Sequence, residues 1–183
     1  MFMALKATIY KVELDVSDMD RQHYCSYSLT LARHPSETDQ RLMMRLLAFA
    51  LYASDTLRFG RGLSIENEAD VFECDATGMI ERWIDVGTPD PRDIRKACGQ
   101  AAQVTVLAYG RTVDIWWRQH GDMLSGQSNL AVLRLPTATS EALADLAARN
   151  MSVQCVIDGG VLWFTAGEKT VQIEPDWLLR QDV

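Results

Sequence analysis

The stretch Trp83–Lys96, WIDVGTPDPRDIRK, contains the end of an apolar strand and the start of a helix. Residues 80–86 form a short apolar run that is typical of a strand. Asp90 followed by Pro91 is an N-cap residue followed by proline at the first helical position, so a helix is predicted from there to about residue 102. An acid, Asp85, stands inside the apolar run. A strand that carries an acid and leads into a helix indicates a mixed α/β architecture with a polar site.

The remaining elements are predicted outward from this stretch. Residues 4–16 and 24–32 alternate like the two strands of a hairpin, and a capping-box-like start at Ser36 and Asp39 opens a helix to about Ala53. The other predicted strands span residues 57–59, 70–74, 104–109, 113–117, 130–135, 153–157 and 161–165, and a further helix spans residues 140–149. The pattern predicts one α/β (α+β) domain over residues 1–183. It is a single-domain mixed sheet with flanking helices, an N-terminal hairpin and C-terminal strands.

Composition narrows the function classes. The chain of 183 residues suits one domain, and no run approaches the length of a membrane span. The start is strand-like rather than a signal peptide, and the four cysteines are scattered, so a reducing cytoplasm is expected. The net charge of −7 and only four lysines argue against an extended nucleic-acid surface. Gly60 and Gly62 resemble a turn rather than a phosphate loop, and no organic cofactor is expected.

Acidic residues are concentrated just before and within the stretch quoted above. Nine acids lie there against two arginines: Glu66, Glu68, Asp70, Glu73, Asp75, Glu81, Asp85, Asp90 and Asp93. If residues 68–70 are extended, Glu68 and Asp70 point to one face about 7 Å apart. Asp85, on the next strand among apolar neighbours, is the acid expected to be partly buried, and a buried carboxylate needs a partner or a cation. Glu68, Asp70 and Asp85 are therefore candidate ligands for Mg²⁺ or Mn²⁺. The alternative is that most of these acids form a solvated surface.

The second helix offers two candidate polar residues. Its apolar stripe is formed by Ile94, Ala97, Cys98 and Ala101. Lys96 lies nearly opposite this stripe and Gln100 lies closer to its border. Either Lys96 reaches the acids, or Lys96 faces solvent and Gln100 reaches them instead.

Other polar or aromatic residues give weaker signals. Arg58 and Arg61 flank the glycine turn and could contact an anion. Trp116 and Trp117, if in a strand, would face opposite sides, which leaves one ring for stacking on a base. The three histidines show no spacing typical of a catalytic triad.

Three segments resemble the YaeQ family of small bacterial proteins over residues 1–180. They are SLTLARHPSET at 28–38, RFGRGL at 58–63 and WIDVGTPDPRDIRKACGQA at 83–101. The resemblance implies a variation on the PD-(D/E)XK nuclease fold, with a core at roughly residues 36–118. By this resemblance Glu37 is the acid of the first helix, Asp70 the acid of the "PD" position and Asp85 the acid of the third strand. Lys96 would then replace the motif lysine, displaced onto the following helix.

The chain departs from the motif. Asp85 is followed by Val86 and Gly87, so it begins no D/E-x-K triplet, and the literal Pro89–Asp90 pair is a helix start.

Two functional hypotheses follow from these observations. The first is a Mg²⁺- or Mn²⁺-dependent phosphodiesterase that acts on a short or structured nucleic acid. Asp70 and Asp85 would hold the cation, Glu68 or Glu37 would add an oxygen, and Lys96 or Gln100 would position water. The second is a nuclease-like fold without catalysis that binds a protein partner, with a regulatory role as one form of it. This alternative predicts that Asp85 is satisfied by hydrogen bonds within the protein. The sequence indicates no oligomeric state.

Overall fold

The structure is a computed structural model that describes residues 6–62 and 67–181. The helices in these ranges are α1 (Asp39–Leu51), α2 (Pro91–Gln100), α3 (Val113–Leu124) and α4 (Thr137–Ala144). The strands are β1 (Thr8–Asp18), β2 (His23–Arg33), β3 (Arg58–Phe59), β4 (Val71–Cys74), β5 (Ile80–Val86), β6 (Ala101–Ala108), β7 (Leu130–Arg134), β8 (Asn150–Asp158), β9 (Val161–Ala166), β10 (Lys169–Ile173) and β11 (Asp176–Leu179). No helix among them is long and apolar enough to span a membrane.

The strands form two mixed sheets. The first has the order β10-β9-β8-β1-β2 and the second has the order β11-β7-β6-β5-β4-β3. In the first sheet β1 pairs with β8 in parallel and with β2 antiparallel. In the second sheet β5, β6 and β7 are parallel, so their carboxyl ends lie at one edge. The predicted mixed α/β fold is confirmed, and its strands divide into two sheets because β8, β9 and β10 join the N-terminal hairpin rather than extend the second sheet.

Helix α1 lies between the two sheets. Its residues 42–50 are all buried, and they pack with buried side chains of both sheets, such as Leu14 and Val153 of the first and Ile84 and Leu107 of the second. A helix that is apolar all round can be stable only where it is covered on every side. This central helix brings its N-terminal turn to the second sheet.

Helices α2 and α3 cover the other face of the second sheet. Ile94 and Ala97 of α2 and Trp116 of α3 pack with Val104 and Val106 of β6 in a second apolar cluster. Asp90 caps α2 by accepting a hydrogen bond from the Arg92 backbone N–H at 2.8 Å, and Pro91 follows it. The predicted helix start is confirmed.

The predicted order of a helix, three strands, a helix and a strand is observed from α1 to β6. The predicted strand at 113–117 is wrong, because these residues begin α3. Apolar side chains at Val113, Trp116 and Leu124 recur at helical spacing, but a window of five residues is too short to show it. Trp116 is buried and donates its indole N–H to the Pro89 carbonyl at 3.0 Å, so of the two tryptophans it is the one in the core.

Smaller differences concern the ends of elements. The N-cap of α1 is Thr38 rather than Ser36, and its hydroxyl accepts from the Arg41 N–H at 3.1 Å. Helix α4 begins at Thr137 and ends before the predicted boundary, and β10 and β11 were not predicted. Residues 4 and 5 of the first predicted strand lie outside the described residues.

Candidate functional site

Asp70 and Asp85 meet where β4 begins and β5 ends. The antiparallel register pairs Val71 with Ile84, and one further step places Asp70 opposite Asp85. The Asp70 N–H donates to Asp85 Oδ1 at 3.3 Å, and the Val86 N–H donates to Asp70 Oδ2 at 2.9 Å. The two acids that the sequence placed on neighbouring strands are therefore in contact. Residues 68–70 precede β4 and do not belong to a strand, so the pairing of Glu68 with Asp70 on one strand face stays a prediction.

Asp85 is largely buried, as its apolar neighbours indicated. The Trp83 indole N–H donates to Asp85 Oδ2 at 2.8 Å. Burial, and after it the neighbouring Asp70 charge, raise the pKa of Asp85 to about 7 despite that hydrogen bond. This carboxyl therefore changes its charge close to neutral pH.

The Arg41 side chain contacts the acid pair through Asp70. Its guanidinium forms an ion pair with Asp70 Oδ1 through Nη2 and with Glu37 Oε1 through Nη1 at 3.1 Å. Arg41 lies in the first turn of α1, so the central helix delivers the charge to the second sheet. Sequence reasoning did not identify this residue.

Glu37 is buried behind Arg41. It accepts from Arg45 Nε at 2.8 Å and from Arg45 Nη2 at 2.9 Å, and Arg45 is itself only 2% exposed. The His34 backbone N–H adds a contact to Glu37 at 3.3 Å. Such a bidentate pair compensates the cost of burying two charges. Glu37 therefore holds arginines and does not line the cavity that Asp70 and Asp85 share.

A cleft of about 470 Å³ opens over the acid pair. It lies at the carboxyl end of β5, between α2 and residues 62 and 67–70. The residues that line it are Arg41, Gly62, Asn67, Glu68, Asp70, Trp83, Asp85, Val86, Gly87, Thr88, Pro89, Asp93, Lys96, Ala97, Gln100 and Tyr109. Carboxyl ends of parallel strands are the common place for ligand sites in such sheets.

Lys96 and Gln100 both line the cleft. Lys96 Nζ lies 3.7 Å from Asp93 Oδ1, and its side chain is 62% exposed. Lys96 and Gln100 are about one helical turn apart on the side of α2 that lines the cleft. Ile94 and Ala97 of the same helix are buried. The sequence left open whether Lys96 or Gln100 reaches the acids. Both side chains line the cleft, and Lys96 also contacts solvent.

Glu68 lines the cleft but is engaged by Arg61. The Arg61 backbone N–H and Nε both approach the Glu68 carboxylate at 3.2 Å. Gly60 can lie this close to Ala69 because it has no side chain: a Cβ there would lie 2.0 Å from the Ala69 carbonyl oxygen. Arg58 instead donates to backbone carbonyls and is absent from the cleft lining. Glu66, the first of the nine acids, lies outside the described residues.

The carboxylates of Asp70 and Asp85 fit a divalent cation only if a bound ligand completes its coordination. Within residues 6–62 and 67–181 no group of three or more acidic, histidine or cysteine side chains is positioned to hold a metal ion. Asp70 and Asp85 supply two adjacent carboxylates, both already accepting hydrogen bonds from the protein. Mg²⁺ is often held by one or two carboxylates with substrate phosphates and water completing its shell. A cage made of protein ligands alone does not fit these residues, whereas a cation shared with a ligand does.

Tyr109 was also missed from the sequence. It follows β6, and its ring lies 3.8 Å from the position that a Cβ of Gly87 would take. Burial raises the pKa of its phenol to about 12, so the hydroxyl is a proton donor at neutral pH. Its place one residue past the end of a parallel strand is the signal that could have identified it.

Comparison with known proteins gives one consistent result. A family model described as "YaeQ protein" matches residues 3–175. An uncharacterised YaeQ protein of Salmonella typhi is 43% identical over 173 residues, which cover 94% of this chain and 96% of that protein. The counterpart of Escherichia coli K12 is 41% identical over 172 residues, with 93% and 95% covered.

Solved structures agree over nearly the whole chain. The crystal structure of a YaeQ protein from Xanthomonas axonopodis pv. citri has a TM-score of 0.91 at 44% identity, covering 96% of this chain and 98% of that one. The YaeQ protein from Pseudomonas syringae has a TM-score of 0.92 at 31% identity, with 96% and 97% covered. The chain therefore belongs to the YaeQ family.

Proposed function

We propose that the cleft hydrolyses a phosphodiester-type substrate with the help of a divalent cation shared between the acid pair and the substrate. The observation that carries the proposal is the convergence of Asp70, Asp85, Lys96 and Gln100 on one cleft. The order of elements from α1 to β6 is consistent with a nuclease-like core at roughly residues 36–118. The proposal includes a cytoplasmic location for the protein.

The side chains have separate tasks in this proposal. Arg41 pairs with Asp70, and Asp85 is the carboxyl that accepts a proton near neutral pH. Lys96 supplies a positive charge for the substrate phosphate, and the Gln100 amide orients water. Mg²⁺ or Mn²⁺, when bound, polarises a phosphoryl oxygen and stabilises the charge that develops during hydrolysis.

The chemistry of the cleft also restricts the substrate. Arg41 and Lys96 face four carboxylates in the lining, those of Glu68, Asp70, Asp85 and Asp93. An anionic substrate is repelled from such a surface unless a cation accompanies it. A short nucleic acid or a small phosphodiester therefore suits the cleft better than a long duplex, in keeping with the net charge of −7.

The test combines cation binding with turnover. In the presence of a non-hydrolysable phosphodiester analogue, calorimetric titration with Mn²⁺ should show binding to the parent that Asp85→Asn loses. Mn²⁺-dependent cleavage of bis(para-nitrophenyl) phosphate and of a labelled oligonucleotide should fall by about a hundredfold or more in that variant.

Lys96→Met has a matched control in Arg95→Met. Arg95 is the preceding residue of the same helix and is absent from the cleft lining. Lys96→Met should reduce cleavage and Arg95→Met should leave it unchanged. Equal effects of both variants, or a parent without Mn²⁺-dependent cleavage, would reject the assignment.

A second candidate is a binding cleft without catalysis. The specific observation in its favour is that both oxygens of Asp85 accept hydrogen bonds, from the Trp83 indole and from the Asp70 N–H, while Asp70 is held by Arg41 and by the Val86 N–H. This candidate would bind its partner without releasing product. A parent protein that binds an oligonucleotide or a protein ligand with unchanged affinity in a chelator, and never cleaves it, would favour this candidate.

A further inference from the structure

Strand β2 is an open edge of the first sheet. Among the described residues it pairs with β1 alone, in an unbroken register from Thr8–Arg33 to Asp18–His23. An edge strand offers unpaired N–H and C=O groups to another strand, and proteins usually protect it with lysine, proline or a bulge. The eleven residues of β2, HYCSYSLTLAR, contain no lysine and no proline, and the register has no bulge.

A groove runs beside this edge. It has a volume of about 370 Å³ and is lined on one side by Tyr27 and Leu29 of β2 and on the other by Phe59 of β3, the edge strand of the second sheet. Phe49 of α1 lies between them, with ring centroids 5.3 Å from Tyr27 and 5.2 Å from Phe59. The groove therefore opens onto aromatic side chains between the two sheets, and it shares no residue with the lining of the cleft.

The outward face of the same edge carries two acids, with Lys11 of β1 beside them opposite Thr30. Glu13 and Asp15 of β1 stand next to Ser28 and Ser26 of β2 and accept hydrogen bonds from the two serine hydroxyls. A strand added to β2 would have every second side chain in the groove and the others on this outward face.

We propose that the edge of β2, together with this groove, binds an extended segment of a partner protein by strand addition. The segment has apolar residues at every second position, which enter the groove, and lysine or arginine between them, which face Glu13 and Asp15. Main-chain hydrogen bonds to β2 supply affinity, and the alternating side chains supply specificity. A second copy of this chain fits less well, because both copies carry a net charge of −7 and β2 itself has no lysine to face the acids.

The test uses a fluorescently labelled peptide of about eight residues in which valine alternates with lysine. Anisotropy titration should show binding at least about tenfold tighter than that of the same peptide N-methylated at alternate residues, since methylation removes the ladder hydrogen bonds. This comparison uses the unaltered protein and so does not depend on any variant folding.

Leu29→Glu has a matched control in Val171→Glu, because both place a carboxylate on a partly buried apolar residue of an edge strand of the first sheet and only Leu29 lines the groove. Leu29→Glu should weaken binding about tenfold and Val171→Glu should change it less than about twofold. Equal binding of the methylated peptide, or undiminished binding by a folded Leu29→Glu variant, would overturn the proposal. A dimer in sedimentation that Leu29→Glu dissociates would also overturn it, because the occupant would then be a second copy.

Discussion

Replacing Asp85 with asparagine should stabilise the folded chain above neutral pH. Asp85 is largely buried beside Asp70, and burial followed by the Asp70 charge raises the pKa of Asp85 to about 7 from an ordinary value of 3.8. The stability associated with the neutral carboxyl is fully present below pH 3.8 and is lost as the pH rises through the folded-state value. Asparagine has nearly the same shape and no proton to lose.

The size of the effect follows from the two pKa values. Between them the unfolded chain has released the proton and the folded chain has not, so stability falls by about 1.4 kcal/mol per pH unit. By about pH 8.5 the parent should have lost up to about 4 kcal/mol that Asp85→Asn keeps. Near pH 4 the two proteins should differ little, because each then carries a neutral group hydrogen-bonded to Trp83.

Urea unfolding at several pH values, with a chelator present, measures this difference directly. The control is Asp93→Asn, which removes a cleft carboxylate whose side chain is 63% exposed and should change the free energy of unfolding by less than about 0.5 kcal/mol at every pH. A folded Asp85→Asn variant that is less stable than the parent at about pH 8.5, or a difference that does not vary with pH, would refute the reasoning.

Two further predictions concern the framework of the cleft. Glu37→Gln should destabilise the chain by about 3–5 kcal/mol in urea unfolding, because it leaves the Arg45 guanidinium buried without its bidentate partner; a loss below about 1 kcal/mol would show that the pair is not needed. Gly60→Ala should lower the melting temperature because its Cβ meets the Ala69 carbonyl oxygen, whereas Gly99→Ala, on a helix with open space around it, should raise it; equal shifts would contradict the close approach.

The acid pair could be predicted because its signal is local. Asp85 interrupts an apolar strand, and alternation on neighbouring strands brings Asp70 near it, so both positions follow from residues within one segment. The helix start at Asp90 is equally local, because capping depends on two adjacent residues. These are the parts of the site that the structure places as expected.

Arg41 was missed because its partner Asp70 is distant in sequence, and Arg45 was missed because its burial depends on the packing of α1 between two sheets. The sequence predicts a helix to about Ala53, but that prediction does not show which of its side chains are covered. Residues 42–51, LMMRLLAFAL, contain Arg45 as their single polar residue, which is typical of a helix covered on all sides. A buried arginine needs a buried acid, and that requirement indicates Glu37 as a structural partner of arginine.

The parallel pairing of β1 with β8 has a consequence for how the chain folds. The ladder joins Lys11 with Asn150 and Asp18 with Ile157, so β1 cannot pair on this side until β8 has been synthesised. Contacts of such large sequence separation slow folding, because loop closure precedes any gain from pairing. During synthesis the β1–β2 hairpin therefore has two open edges. The edge beside β1 is closed only when β8 emerges. Deletions after about residue 149 should yield a chain that aggregates during expression, even though the cleft residues and their strands are all retained.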